Sequence, residues 1–440
     1  MSGGLAVLGA ALAGAIVSSL LACVPGLHVY SIAGLLVALG LELGIDAGGE
    51  VFGGFMLGMV VGYAVLNTIP GVFWAAPDES AAFVVLPGQR FLAQGQGYEA
   101  AVLAGTGALG ATFLLLVLAP VLPRVLPTVR EILAPHLHWI LAAVSVFLIM
   151  SEWPKGHDRA RGTPARLVEA WRAPAMGLLT FVLSGLLGLV LFYGSVLPPE
   201  AAFQNLMPAF TGLFALPCVL GGLVWRAIVP RQQPAAGVSV SPALVARGVG
   251  AGALGGLFAA FFPAITGGVG AFLAGHATAQ RDDRVFLVSQ GASKLIYYAG
   301  GFLLFFVPGL HLSRGGMAWL TGPLYTPRTA ASYWMAVAAL AVSAAVAFAM
   351  LLWLGRLAAG VVSRVNYRTI SVGTLLLLVA LIVALTGPQG LLVAAVATGI
   401  GLIPVTWGAR RTNCLGVLLV PLTLQMAGLG PVAVRWLGLF

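Results

Sequence analysis

Apolar residues in this chain come in long, nearly uninterrupted stretches, with polar residues clustered between them. "LAVLGAALAGAIVSSLLACV", "YEAAVLAGTGALGATFLLLVLAPVL", "AVAALAVSAAVAFAMLLWL" and "ISVGTLLLLVALIVAL" each reach spanning length, since roughly 20 apolar residues cross a bilayer. Further spans are predicted over about 173–197, 205–229, 370–386 and 389–407. Two other stretches, "SSLLACVPGLHVYSIAGLLVAL" and "GGLFAAFFPAITGGVGAFLAG", are cut near the middle by Pro25 and Pro263. Proline removes a backbone donor and clashes with the preceding turn, and the neighbouring glycines tolerate irregular backbone. Each stretch therefore predicts half-helix, break, half-helix. The whole pattern predicts an all-α polytopic membrane protein with paired broken helices or re-entrant hairpins and roughly 10–12 membrane segments.

Basic residues set the orientation. They gather in "KGHDRARGTPARLVEAWR" (155–172), in Arg226, Arg231 and Arg247, in Arg356, Arg364 and Arg368, and in Arg410-Arg411. Cytoplasmic loops collect Lys and Arg, and an even number of crossings separates the first group from the second and the third from the fourth. Counting each broken stretch as a hairpin makes the parity work along the whole chain. The first hairpin then opens toward the acidic "LELGIDAGGE" (41–50) and the second toward "QRDDR" (280–284). This places the protein in the cell membrane with its N-terminus on the non-cytoplasmic side. The first Lys or Arg is Arg90, so the opening segment lacks the basic region of a secretory signal and is expected to be retained.

Composition agrees and narrows the function classes. Of 440 residues, 60% are hydrophobic and only 8% charged, against about 25% charged in soluble domains; the mean hydropathy is +1.02. The net charge of +9 is accounted for by the cytoplasmic loops, so nucleic acid is not expected as a partner. Cys23, Cys218 and Cys414 stand apart in or beside apolar runs and read as small buried hydrophobes. No HExxH, GxSxG or P-loop occurs, and His136 and His138 are spaced for opposite helix faces. An enzyme is not expected, and neither is a cofactor or structural metal beyond sodium or a proton as a coupling ion.

The two broken stretches are related. Pro25 to Pro70 is 45 residues, and so is Pro263 to Pro308. Under the resulting shift of 238, Ala13-Gly14-Ala15 falls on Ala251-Gly252-Ala253, while Gly53, Gly62, Gly71 and Arg90 meet Gly291, Gly300, Gly309 and Arg328. Opposite hairpin orientations would make this an inverted repeat, with halves 1–229 and 230–440 in one membrane domain and the plan of a secondary transporter.

Unpaired backbone at membrane depth costs several kcal/mol per group and persists only where protein or a watery cavity covers it. Four breaks, around Pro25, Pro70, Pro263 and Pro308, thus predict a shared cavity, where helix N-termini suit anions and free carbonyls suit cations. The polar groups there are His28, Tyr30, Ser31, Asn67, Thr68, Asp78, Glu79 and Ser80, then Thr266, Ser289, Gln290, Ser293, Lys294, Tyr297 and Tyr298. Hydrogen bonding between helices or anchoring at the interface is the commoner role for any one of the hydroxyls; capping is an equally available role for Asp78 and Glu79, and snorkelling to the surface for Lys294.

These residues carry a resemblance. "GAIVSSLLACVPGLHVYSIAGLLVAL" resembles the N-terminal segment of the large membrane subunit of tripartite tricarboxylate transporters, and "LNTIPGVFWAAPDESAAFVVLPGQRFLAQGQGYEAAVLAGTGALG" resembles that family's second signature. With "RDDRVFLVSQGASK", the chain is most similar to the stand-alone branch common in archaea. The resemblance implies an ion-coupled secondary transporter of organic anions built from inverted repeats. It departs at "LPGQR" and at Pro263-Ala264, where the family carries an Asp-Gly-Tyr-Pro-like stretch and Pro-Gly. Those departures remove the grounds for expecting tricarboxylate itself, an extracytoplasmic binding protein or a small membrane subunit; a homodimer is the assembly considered.

The expected function is ion-coupled import of a small carboxylate across the lipid bilayer. The anion would lie among Gly26, His28, Asn67, Thr68, Gly71, Thr266, Gly267, Ser293 and Lys294, with Asp78 and Glu79 coupling or gating. The alternative is translocation of an anionic lipid such as a polyprenyl phosphate, whose headgroup the same buried cation would serve.

Overall fold

The computed structural model describes residues 2–42, 49–74, 76, 80, 85–154, 162–197, 206–224, 229–235, 237–278, 281–310, 312 and 315–439. Among them every regular element is helical. In the first half these are α1 (Ser2–Leu21), α2 (Val29–Glu42), α3 (Gly49–Leu66), α4 (Thr68–Phe73), α5 (Val85–Ala93), α6 (Gly97–Leu118), α7 (Leu122–Leu133), α8 (Leu137–Met150), α9 (Thr163–Tyr193), α10 (Leu206–Phe210) and α11 (Leu216–Val224). The second half holds α12 (Pro242–Phe261), α13 (Gly267–Ala277), α14 (Asp283–Leu295), α15 (Gly301–Phe306), α16 (Gly315–Thr321), α17 (Ala330–Val362), α18 (Tyr367–Trp407), α19 (Gly416–Met426) and α20 (Gly430–Trp436). Wide π-turns interrupt both halves, at Thr211–Ala215 and Ile296–Gly300.

Nine helical stretches among the described residues are long and apolar enough to cross a bilayer, or up to ten counting a bent pair near the C-terminus. This is a multi-pass membrane protein. The stretch over α18 contains a turn. Gly387 takes φ 68° inside it, and a methyl group on Gly390 would lie 3.2 Å from the Ile382 side chain, which a straight helix would hold more than two turns away. The chain reverses there, in agreement with separate spans over 370–386 and 389–407. The short second arms α2 and α13 fall below crossing length, which accounts for the difference from the larger expected number of segments.

The helices gather into two compact units, one of Met1–Arg130 with Gly222–Thr374 and the other of Glu131–Gly221 with Leu375–Phe440. Small residues form the seams of the first. A Cβ at Gly14 would run into the Phe55 carbonyl and one at Gly58 into the Ala11 carbonyl, joining α1 to α3. Gly252 lies equally close to the Ser289 carbonyl, joining α12 to α14, while Gly291 and Gly107 press α14 against α6 at the Ala104 and Val288 carbonyls. Backbone approaches this close are how helices associate where lipid offers no hydrophobic drive. Gly255 and Gly270 face one another across Pro263, so α12 and α13 form a closed hairpin, whereas α2 packs on α3 and α16.

In the second unit, α9 and α19 meet where Gly188 lies on the Val417 carbonyl and Gly416 on that of Phe181. Glu152 is buried there, and its carboxylate accepts from the Arg410 amide at 2.7 Å. The Arg172 guanidinium stands 4.1 Å over the Trp407 ring.

Three of the four expected breaks turn the chain by one device. The residue after the proline enters the left-handed region, with Gly26 at φ 76°, Ala264 at φ 60° and Gly309 at φ 77°. Pro-Ala thus reproduces the backbone of Pro-Gly, at a cost of about 1–2 kcal/mol for a Cβ in that conformation. Replacing Ala264 by Gly is expected to raise stability by up to about 1 kcal/mol, less the entropy of a freer unfolded chain, and Gly26→Ala to lower it. Thermal unfolding in detergent reads both; equal midpoints would refute the strain. The fourth expected break makes no turn. Pro70 lies within α4, Asn67 keeps helical dihedrals (φ −61°, ψ −5°), and Gly49–Phe73 runs as one 25-residue stretch. In place of the expected break there is only a local irregularity between α3 and α4, where Pro70 lacks the N–H that would bond the Leu66 carbonyl.

Candidate functional site

The faces of α14 are assigned by its neighbours. Gly291 and Val288 meet α6, and Ser289 and Ala292 meet α12, which leaves Gln290 and Lys294, one turn apart, on the side of α3 and α4. Tyr298 follows one turn later in the wide turn. Opposite them is the α3–α4 junction. Lys294 is only 2% exposed, and its Nζ donates to Thr68 Oγ1 at 2.9 Å. The side chain therefore points into the protein and does not snorkel. A charge at such depth costs about 2.5–3.5 kcal/mol on insertion scales, a cost retained where the charge has work to do.

Amide groups around this ammonium are left unsatisfied. Asn67 is 3% exposed and Gln290 1%. Among the described residues neither the Asn67 Nδ2 nor the Gln290 Nε2 and Oε1 has a hydrogen-bond partner, and the Ser289, Ser18 and Ser19 hydroxyls share that condition. Buried polar groups are hydrogen-bonded as a rule, and each orphan costs about 1–3 kcal/mol. Space lies alongside. Gly71 is buried, yet a Cβ there would have no atom of the described residues within 4 Å.

The tip of the first break adjoins the same helix. His28 Nε2 is 3.1 Å from the Tyr298 hydroxyl, and its ring is enclosed by Tyr30, Tyr63 and Tyr298, with centroids at 4.6, 5.2 and 6.1 Å. The second tip packs close by, where a Cβ at Gly267 would lie 3.1 Å from the Lys294 Cα.

The structure thus brings Lys294 to Thr68, beside Asn67, while His28 meets Tyr298, one helical turn beyond Lys294. Thr266 and Ser293 are engaged in holding the fold: Thr266 Oγ1 caps α13 by accepting from the Val269 amide at 3.4 Å, and Ser293 Oγ donates to the Gly267 carbonyl at 2.8 Å. Gly26 makes the turn, and Gly71 lies within α4 beside the open space. Asp78 and Glu79 lie outside the described residues. Gln290 stood among the polar groups near the breaks but not among the expected site residues; its spacing of four from Lys294 is the signal that would have paired them. Tyr63 had none, because a tyrosine within a small-residue span reads as ordinary core.

Farther out, two ion pairs tie the start of α14 to the first half. Arg90 meets Asp283 at 3.0 Å, and Arg284 pairs with Glu99. Among the described residues no group of three or more His, Cys, Asp and Glu is placed to hold a metal ion.

A buried cation with unpaired amides at a helix irregularity suits an anion in a membrane pathway, and the sequence comparisons point the same way. Residues 8–416 match the Tripartite tricarboxylate transporter TctA family. An uncharacterized protein of Methanocaldococcus jannaschii is 25% identical over 410 residues, covering 90% of this chain and 93% of that protein. No solved structure matches. With nearly its whole length inside the family match, this chain belongs to the Tripartite tricarboxylate transporter TctA family, a transporter family and not an enzyme class.

Proposed function

We propose that the protein is an ion-coupled secondary transporter that imports a small carboxylate through the site between α14 and the α3–α4 junction. One observation carries the reading: the buried Lys294 ammonium reaches Thr68, next to Asn67 and one turn from Gln290, whose buried amide nitrogens have no hydrogen-bond partner among the described residues. A carboxylate would accept from those amide nitrogens beside the ammonium, turning unfavourable terms into binding contacts. The family relationship supports an organic anion, and sodium or a proton supplies the driving gradient.

An inverted repeat of two halves fits several parallels between them. Matching Gly14 and Gly252 form matching seams, Gly26 and Ala264 form matching turns, and each half contributes to both compact units. Rocking or sliding of the repeats is the movement such folds perform. The protein would act in the cell membrane with its N-terminus outside, as a homodimer, without an extracytoplasmic binding protein or small membrane subunit.

The test is uptake into proteoliposomes of labelled citrate, succinate and lactate under an imposed sodium or proton gradient, against liposomes without protein. Accumulation of one of them above the protein-free level is expected. No accumulation of any carboxylate, together with flip of a labelled polyprenyl phosphate, would replace this reading with the lipid one.

A further inference from the structure

His28 is the N-cap of α2. Its carbonyl accepts from the Ser31 and Ile32 amides at 3.1 and 3.2 Å, and its own Nδ1 accepts from the Tyr30 amide at 3.2 Å. Caps are ordinarily Ser, Thr, Asp or Asn, whose oxygens accept at any pH near neutrality. A ring nitrogen accepts only while unprotonated. Because Nδ1 receives an N–H, the neutral ring carries its proton on Nε2, and Nε2–H donates to the Tyr298 hydroxyl at 3.1 Å. One imidazole thus closes the first turn of α2 on one side and ties the first break to the helix bearing Lys294 on the other.

We propose that His28 is a proton-binding site that opens the α1–α2 break. A proton from the aqueous side adds to Nδ1 and forms an Nδ1–H bond. The Tyr30 amide then loses its acceptor and meets a donor instead, and positive charge arrives at a helix N-terminus, where the helix dipole opposes it. Nε2–H stays on Tyr298, so the change falls on the cap alone. An anion oxygen entering beside the ring would accept from Nδ1–H, so proton and carboxylate favour one another's binding to the same degree. This second half of the inference rests on the transporter reading; the switch itself does not.

The titratable groups of the described residues against the ring are Tyr30 on α2, Tyr63 on α3 and Tyr298 in the wide turn, with Tyr297 packed on Tyr298; Lys294 lies one turn before Tyr298 on α14, and Cys23 follows α1. The described residues of α16 bring none. Histidine is the group whose charge ordinarily changes between about pH 5 and 8, so it is the one among them that responds across that interval.

Hydrogen–deuterium exchange of the full chain in lipid nanodiscs, with no anion added, tests the switch. Rates are corrected for intrinsic exchange, and the peptide starting at Val29 is followed at about pH 8 and about pH 5. Wild type is expected to lose protection at the start of α2 by about tenfold at the lower pH. His28→Asn supplies a cap that does not titrate, and its protection is expected to be the same at both. Unchanged wild-type protection, or a loss equally large in His28→Asn, would overturn the proposal. A negative uptake assay with a positive exchange result would dismiss only the transport reading.

Discussion

Lys294→Met is expected to abolish transport in a protein that still folds. Methionine keeps the length and apolar stem of the lysine and removes the ammonium that reaches Thr68. Losing one partner of a buried, charged hydrogen-bonded contact costs about 2–5 kcal/mol, a fall in anion affinity of at least about 30-fold. The check is uptake of whichever carboxylate the wild type accumulates, run beside a thermal melt. The melt separates loss of the anion contact from loss of the fold. A lysine serving only the fold would give the reverse result, normal uptake with a lowered midpoint. Asn67→Ala is the companion variant; wild-type uptake in both would remove the site from consideration.

Gly291→Leu is expected to unfold or grossly weaken the first unit. Even the Cβ of alanine would collide with the Ala104 main chain, and a backbone carbonyl in a helix seam cannot turn aside as a side chain would. Overpacking in a dense interior costs about 1–3 kcal/mol, and the larger side chain must push α14 away from α6 altogether. The same displacement would carry Lys294 from Thr68, so activity and stability fall together. Gly250→Ala is the control. It lies in α12 with nothing within 4 Å of an added Cβ, and alanine there should gain about 0.5–1 kcal/mol of helix stability. If the two glycine variants melt alike in a detergent-solubilised thermal scan, the seam is not what holds α14 in place.

Much of the helical layout was legible because local chemistry decides it. In lipid, a run of apolar residues has no conformation other than helix that pairs its backbone, and a proline within it must interrupt the ladder wherever it falls. Hence the turns at Pro25, Pro263 and Pro308 could be anticipated, and so could the two arms of α18. The irregularity between α3 and α4 is also local chemistry, since the missing proline N–H is felt four residues earlier at Leu66. The pairing of Gln290 with Lys294 on one face follows from helix geometry alone.

What covers that face does not. Sequence spacing said that Lys294 was near a span's start, and both burial and snorkelling were compatible with it; the contact with Thr68 lies 226 residues away. The enclosure of His28 by Tyr63 and Tyr298, and the consumption of Ser293 and Thr266 as struts, likewise depend on which helices meet. In this protein the chain alone determined where helices start, stop and break, because every such choice is settled within a few residues by hydrogen bonding and the proline ring. Only the tertiary structure decided which polar groups would be left without partners, because satisfaction of a buried donor is a property of everything packed around it.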